Sequence, residues 1–352
     1  MSRSSDLGSD LDAWLAPFLS VVGRSTRSKW APLYVRGLLG PDGPKSVQPI
    51  AARLGLSGHD QLHHFVSSPA WDDAPLWRVL AEQADRLVGG EDAVLVIDDT
   101  ALPKKGTASV GVMPQYCGAL GKQANCQSLV SSTLAFREVP VPVGLRLFLP
   151  STWTDDPARC AKAGVPEAAR VERTKPQIAL DEIDRLIAAG IRFGCVLADA
   201  GYGSGAPFRQ GLIARGLTWA VGVPRILKVF KTSVDLLFPR ANRGKPRLHA
   251  VPSETAQDAA DVLAARPWRR VTWRQGTKGP LGARFSAMRV RGRCRVARGM
   301  AICPERKSGL SENGVAVGNA NTILVIFQAA PRCDVWPRRS RHAGYASKGI
   351  NN

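Results

Sequence analysis

Two apolar stretches of strand length, each ending in aspartate, constrain this chain more than any other feature. Residues 94–97 are Val-Leu-Val-Ile and lead into Asp98 and Asp99, whereas residues 195–198 are Cys-Val-Leu-Ala and lead into Asp199. Strands that are buried on both faces of a parallel or mixed sheet are continuous apolar runs. Functional side chains collect at the carboxyl ends of such strands, where the chain leaves the core. The two stretches therefore predict a sheet edge that presents paired aspartates.

The sequence around these stretches alternates between strand-like and helix-like segments. A helix is predicted from Lys175 to Gly190, because Thr174 is a capping residue and Pro176 suits the first turn. Its apolar stripe consists of Ile178, Ile183, Leu186 and Ile187. A second helix is predicted over 205–215, and strands are predicted over 93–98, 128–137, 141–148, 193–198 and 218–223. Three strands followed by strand–helix units predict an α/β fold with a mixed sheet and flanking helices.

Composition divides the chain into four regions. They are a helical region (1–90), the α/β core (91–223), a basic β-rich insert (224–290) and a poorly structured tail (291–352). The helical region is expected to be a basic helical bundle, and Ser46–Leu56 followed by Ser57–Asp60 resembles a helix–turn–helix unit as the alternative. The tail has little periodicity and many arginines.

The insert interleaves tryptophan with arginine. Strands are predicted over Trp268–Trp273 and Ala283–Val290, on either side of a turn at Gly276–Gly282. Alternating aromatic and basic side chains suit a surface that tracks nucleic acid. An ordinary strand with tryptophan inside and arginine outside explains the pattern equally well.

The charge balance indicates a polyanionic partner. The chain of 352 residues has 48 Lys and Arg against 29 Asp and Glu, a formal net charge of +19. Lysine and arginine bind phosphates and release counterions, so nucleic acid is the expected partner. The seven cysteines include no Cys-x-x-Cys pair, which fits a reducing cytoplasm. No apolar run reaches membrane-spanning length, and the first residues have no signal-peptide core.

The aspartates predict a metal site. Mg²⁺ and Mn²⁺ prefer oxygen ligands, and two such ions can activate the attacking oxygen and stabilise the leaving oxygen of a phosphodiester. Asp99 and Asp199 are the predicted ligands, and strand alternation places Asp98 on the opposite face in a supporting role. Lys104 and Lys105 follow closely and suit a phosphate. A metal-dependent phosphatase is an alternative, although these strand ends have no spaced Asp-x-Asp with a later catalytic lysine. The Walker A, G-x-S-x-G and H-E-x-x-H motifs are missing from the chain.

Several strings in one order resemble bacterial insertion-sequence transposases of the DDE superfamily, which have an RNase H-like core. The similarity covers about residues 11–290 and includes residues 29–34, 60–66, 96–100, 103–106, 109–112, 115–118, 198–203 and 274–281. It implies cutting and joining of double-stranded DNA at element ends and target, with Mg²⁺ or Mn²⁺, and admits a homodimer in the DNA complex. By resemblance, Asp99 and Asp199 are the first two catalytic acids. The helical region would bind element ends in the nucleoid, and the expected DNA contacts are Lys104, Lys105, Arg269, Arg270, Arg274 and Lys278.

The chain departs from this family where the third catalytic acid, a glutamate on a final helix, is expected. Glu305 and Glu312 lie in Gly-, Pro- and Ser-containing sequence and are poor substitutes. One back-translation of residues 341–352, read in the neighbouring frame, encodes a glutamate-bearing string that resembles this helix. The hypothesis is a frameshifted tail after about residue 291, and hence a chain that does not cut DNA. A non-catalytic DNA-binding remnant is therefore the alternative to an active transposase.

Overall fold

The computed structural model describes residues 3–41, 43–68, 71–237, 251–277, 279–296, 299–302 and 322–328. The chain forms two compact units. The first comprises residues 1–87 and 189–191, and the second comprises residues 88–188 and those from 192 onward.

The described part of the first unit is helical. It contains α1 (Arg3–Leu19), α2 (Ser25–Leu39), α3 (Val47–Arg53), α4 (Asp60–Ser67) and α5 (Ala74–Val88). Ile50 of α3 and Leu62 of α4 are fully buried and pack with Tyr34 of α2. Gly55, between α3 and α4, has a φ of 67°, which side-chain-bearing residues rarely adopt. The helices α2, α3 and α4 therefore pack around one small core.

The first unit is electrically balanced. Residues 1–87 contain nine Lys and Arg and nine Asp and Glu, which leaves 39 basic and 20 acidic residues of the 48 and 29 for residues 88–352. The expectation of a basic N-terminal region is therefore wrong. Residues 88–352 therefore carry the whole net charge of +19. Long-range attraction of a polyanion must come from that segment.

The second unit begins with a six-stranded mixed sheet and its helices. The strands are β1 (Gly90–Pro103), β2 (Met113–Cys117), β3 (Lys122–Phe136), β4 (Val139–Leu147), β5 (Phe193–Ala198) and β6 (Trp219–Val221). The helices are α6 (Ser151–Thr154), α7 (Pro157–Lys162), a 3₁₀ turn (Glu167–Ala169), α8 (Lys175–Ala188), α9 (Ala200–Gly203) and α10 (Ala206–Ala214). The strand order is β2-β3-β1-β5-β6, and β4 pairs with another part of β3. β1 is antiparallel to β3 and parallel to β5, which is parallel to β6. The prediction of a mixed sheet with flanking helices is confirmed.

Alternating burial fixes the orientation of β1. Ala93, Leu95 and Ile97 are buried, whereas the residues between them are half-buried. On β3, Val130 and Leu134 are buried, and α8 packs against this strand. The predicted stripe of α8 is mostly correct, since Ile178, Ile183 and Leu186 are buried. Ile187 is the exception, because its side chain is exposed.

A second sheet follows the core. Its part of the chain contains β7 (Lys228–Lys231), β8 (Leu236–Leu237), β9 (Val251–Pro252), β10 (Gln257–Asp258), α11 (Ala259–Ala264), β11 (Arg269–Gly276), β12 (Gly279–Val296), β13 (Gly299–Ile302) and β14 (Thr322–Gln328). The strand order is β10-β7-β12-β11, and β13 and β14 also pair with β12. Val229, Val262, Leu263 and Val290 form its buried cluster. The expected β-rich insert is thus a sheet built around one long strand.

The strand boundaries in this sheet differ from the predicted ones. β12 begins at Gly279 rather than at residue 283, because its pairing with β11 continues to the Gly276–Gly279 pair. β12 also crosses the predicted boundary at residue 290 and pairs with β13 and β14. The prediction of a poorly structured tail is therefore wrong for 291–296, 299–302 and 322–328. The last segment, Thr-Ile-Leu-Val-Ile-Phe-Gln, is a β-branched and apolar run that favours a strand. Residues 303–321 and 329–352, including Glu305, Glu312 and the string at 341–352, lie outside the described residues.

The sequence has no apolar run of membrane-spanning length and no Cys-x-x-Cys pair. Among the described helices, none has the length and apolar character needed to cross a bilayer. Cys117, Cys126, Cys160 and Cys195 form no disulfide bonds with the part of the chain that the structure describes, and the first three are buried.

Candidate active site

Asp99 lies at the carboxyl-terminal part of β1 and uses both carboxylate oxygens. Its Oδ1 accepts a hydrogen bond of 2.6 Å from the Tyr202 hydroxyl. Its Oδ2 accepts one of 2.6 Å from Nζ of Lys175, and the two side chains form an ion pair. Alternation along β1 places Asp99 on the same face as Leu95 and Ile97. The buried residues of β1 up to Ile97 therefore hold the strand in the core, and the Asp99 side chain is the first on this face to be exposed.

Asp199 follows β5 directly and caps the short helix α9. Its Oδ1 accepts hydrogen bonds from the backbone N–H groups of Gly201 (2.8 Å) and Tyr202 (3.3 Å). Because β1 and β5 are parallel and their pairing ends at Ile97 and Ala198, Asp99 and Asp199 both follow closely on the end of this pairing. Aspartate is a favoured capping residue, so part of the role of Asp199 is structural. Its second oxygen, Oδ2, accepts no hydrogen bond from the residues that the structure describes.

Tyr202 connects the two aspartates. Its backbone N–H binds Asp199, and its hydroxyl binds Asp99. The side chain is only 3% exposed, and its ring packs against Phe208 at 5.6 Å between centroids. Burial, and then the Asp99 carboxylate, raises the pKa of Tyr202 far above its ordinary value. Tyr202 therefore stays protonated and acts as a fixed donor. Sequence reasoning missed this role, although Tyr202 lies within the Asp-Ala-Gly-Tyr-Gly string.

Lys175 is a second residue whose role sequence reasoning missed. It is the first residue of α8, and a reciprocal capping box fixes this helix end, since Thr174 N–H donates to Gln177 Oε1 (2.8 Å) and Gln177 N–H donates to Thr174 Oγ1 (3.4 Å). The ammonium also lies 5.4 Å from the centroid of the Phe148 ring. The prediction that the helix starts at Lys175 was correct. This start fixes the position of the lysine at the helix end, so it could have indicated the contact with Asp99.

Asp98 precedes Asp99 on β1. It is half-buried, and its Oδ1 accepts a 2.8 Å hydrogen bond from the backbone N–H of Asp99. Its carbonyl accepts a 2.8 Å hydrogen bond from the Ser131 hydroxyl. Asp98 therefore fixes the backbone that carries Asp99.

Asp99 and Asp199 belong to no larger ligand group among the residues that the structure describes. No group of three or more His, Cys, Asp or Glu side chains among them could hold a metal ion. The buried Glu182 of α8 is occupied elsewhere, because Arg146 binds its Oε1 and Arg185 binds its Oε2 (2.9 Å). Glu182 thus ties α8 to β4.

The chemistry of the donor set suits a hard divalent cation. Asp99 and Asp199 supply carboxylate oxygens, which Mg²⁺ and Mn²⁺ prefer, and Mg²⁺ keeps several waters when two carboxylates bind it. The Lys175 ammonium already lies against Asp99, so this edge favours positive charge. The two aspartates therefore fit part of a metal shell, and substrate oxygens and a further acid would have to supply the rest.

The predicted DNA-contacting residues lie in different places. Lys104 and Lys105 follow the end of β1, where Lys105 is exposed. Arg269 and Arg270 are exposed on β11, the edge strand of the second sheet. Arg274 forms an ion pair of 3.2 Å with Glu138, at the end of β3 opposite to the one that Asp99 approaches. Lys278 lies outside the described residues.

The mixed sheet in this order matches the fold expected from the sequence. Residues 17–280 match the model of a family described as DDE superfamily endonuclease. The chain belongs to this family. Its sheet is accordingly of the RNase H-like type, and the protein is of an enzyme family.

One curated relative supports the same assignment. Over 180 residues the chain is 31% identical to a protein of Microchaete diplosiphon described as a probable transposase for insertion sequence element IS701. The alignment covers 51% of this chain and 44% of that relative, so the chain spans less than half the length of the relative.

Proposed function

We propose that this DDE-family protein binds double-stranded DNA at the ends of an insertion element and that its fold is built to cut and join DNA there. The carrying observation is the arrangement of Asp99 and Asp199, which follow the end of the pairing between the parallel strands β1 and β5 and are connected by Tyr202. The similarity to a probable insertion-sequence transposase supports the same reaction class.

In the proposed site, the chain's residues hold oxygen ligands and neutralise charge. Asp99 and Asp199 would bind Mg²⁺ or Mn²⁺, which supplies charge stabilisation for the attacking and leaving oxygens of a phosphodiester. Tyr202 holds Asp99 through a fixed O–H donor. Lys175 neutralises Asp99 in the absence of a cation and could contact a DNA phosphate once released. Asp98 positions the backbone of Asp99.

The remaining assignments are also proposals. The helix pair α3–α4 would read element ends, and because residues 1–87 carry no net charge, contacts to bases rather than long-range attraction would direct it. The basic residues of the core and insert would supply the affinity for phosphates. A homodimer in the DNA complex remains part of this proposal, as does a cytoplasmic location near the nucleoid.

The main alternative is a DNA-binding remnant that does not cut. It rests on the sequence of the tail, where Glu305 and Glu312 lie in Gly-, Pro- and Ser-containing stretches rather than in a helix-like pattern. Sequencing the encoding DNA through codon 352 tests the frameshift hypothesis, which predicts a neighbouring frame that encodes a glutamate-bearing helix.

The test uses the purified full chain, a fluorescein-labelled 40-base-pair duplex and supercoiled plasmid with Mn²⁺. The proposal expects duplex binding that weakens by orders of magnitude between low and moderate salt. Nicking that is lost in Asp99→Asn and Asp199→Asn supports an active enzyme, whereas binding without nicking supports the remnant. The matched control is Asp92→Asn, an exposed aspartate at the start of β1. Hydrolysis of small phosphate esters without DNA affinity would instead support the phosphatase alternative and refute the proposal.

A further inference from the structure

The hairpin formed by β2 and β3 extends beyond the sheet at its carboxylate edge. β1 ends at Pro103, which pairs with Cys126 of β3, whereas β3 begins at Lys122. The four residue steps from Cys126 back to Lys122 span about 13 Å at the usual rise of a strand. Because β3 is antiparallel to β1, this extension continues in the direction in which β1 leads past Asp99. The hairpin tip therefore projects on the side of the sheet where the aspartates lie.

The tip exposes an unusual combination of side chains. Tyr116 is 63% exposed and Leu120 is 50% exposed, although each could bury an apolar surface. Lys122 is exposed at the first position of β3, and Lys105 is exposed just beyond β1. Neither lysine forms an ion pair with any part of the chain that the structure describes. Exposed aromatic and apolar groups beside unpaired basic groups are typical of an interaction surface.

The charge of this region favours a polyanion as the partner. Residues 100–137 contain three lysines and one arginine but no aspartate or glutamate. The segment thus has no carboxylate to repel phosphates. By contrast, the first unit is electrically balanced, so it does not offer a comparable field. Charge complementarity selects DNA over a neutral or basic protein surface.

We infer that the β2–β3 hairpin tip, formed by Tyr116, Leu120 and Lys122, grips duplex DNA on one side of the phosphate that Asp99 and Asp199 approach. This inference rests on the proposed function. Asp99 pairs with Val130 of β3, and Tyr116 pairs with Gln123 of the same strand. The tyrosine therefore lies seven residues, or about 23 Å, from Asp99 towards the start of β3. At about 3.4 Å per base pair, this distance corresponds to roughly seven base pairs of duplex. Lys122 contacts a phosphate, and Tyr116 with Leu120 contacts the sugars and base edges beside it.

The test compares variants at the two ends of β3 in the full chain. The tip variants are Tyr116→Ala and Lys122→Gln. The controls are Val139→Ala and Arg137→Gln, because Val139 is 48% exposed and Arg137 is exposed at the β3–β4 turn. Binding of the same labelled 40-base-pair duplex is measured by fluorescence anisotropy at several salt concentrations. Thermal unfolding and light scattering of each variant report on folding and on self-association.

The plot of log affinity against log salt has a negative slope. Lys122→Gln is expected to make this slope shallower by about 0.9, the value for one lost phosphate contact. Tyr116→Ala is expected to weaken binding about fivefold with little change in slope, as for a lost aromatic contact to nucleic acid. Both controls should bind like the parent chain. Parent binding together with unchanged tip variants would overturn the hairpin inference and leave the proposed function standing. Tip variants that change self-association but not DNA affinity would also overturn it, whereas a parent chain without DNA affinity refutes both.

Discussion

Removal of the Tyr202 hydroxyl is the sharpest perturbation of the carboxylate edge. Tyr202→Phe keeps the buried ring and its packing against Phe208 but deletes the O–H that donates to Asp99 over 2.6 Å. Hydrogen bonds to charged groups contribute about 1.5–3 kcal/mol. The Asp99 side chain is 38% exposed, so water replaces part of the lost bond. The expected loss in the free energy of unfolding is therefore about 1–2 kcal/mol.

This loss is measurable as a shift in thermal unfolding. A change of 1 kcal/mol shifts Tm by about 2–4 °C for a domain of 150–250 residues, so Tyr202→Phe should lower Tm by about 2–8 °C. Calorimetry or circular dichroism of the full chain provides the measurement. Tyr116→Phe is the matched control, because that side chain is 63% exposed and its hydroxyl has no bonding partner in the described structure.

The same variant tests whether Tyr202 positions the carboxylate. Without the hydroxyl, Lys175 remains as a partner of Asp99, and the carboxylate is less constrained. Mn²⁺ affinity, measured by calorimetry on the chain without DNA, should fall in Tyr202→Phe and stay unchanged in Tyr116→Phe. Equal Tm values for Tyr202→Phe and the parent chain would refute the reasoning, because the hydrogen bond would then make no net contribution.

Three further predictions concern stability. Glu182→Gln should lower the free energy of unfolding, measured in urea, by about 2–4 kcal/mol, because it breaks a buried ion pair and leaves two arginines without their anion. A loss below about 0.5 kcal/mol, the level of a neutral surface change, would contradict a stabilising role for this ion pair. Asp199→Asn should keep the cap of α9, whereas Asp199→Ala should cost about 1 kcal/mol in the same assay, and equal stabilities would argue against capping. Gly203→Ala should lower the free energy of unfolding by about 2 kcal/mol, because the added Cβ would overlap the carbonyl oxygen of Gly222. Gly205→Ala is the control, since the nearest atom to its added Cβ is 3.8 Å away.

The sequence by itself determined the core of the fold. The apolar runs that end at Asp98 and Ala198 predict the buried strands β1 and β5, because strands covered on both faces must be apolar. The start of α8 could also be predicted, since Thr174 and Gln177 satisfy backbone groups within a few residues of each other. Local patterns of this kind depend on neighbours in the chain, so they can be read without a structure.

Only the tertiary structure decided which side chains meet at the carboxylate edge. Lys175 and Tyr202 both bind Asp99, although they lie 76 and 103 positions away in the chain. The pairing of β12 with β14 likewise brings distant residues together, and it explains why segments of the tail that lack periodic signals are strands. Such contacts depend on the order and register of strands, which no local pattern specifies. The sequence therefore indicates the aspartates, whereas their partners follow from the packing of the sheet and its helices.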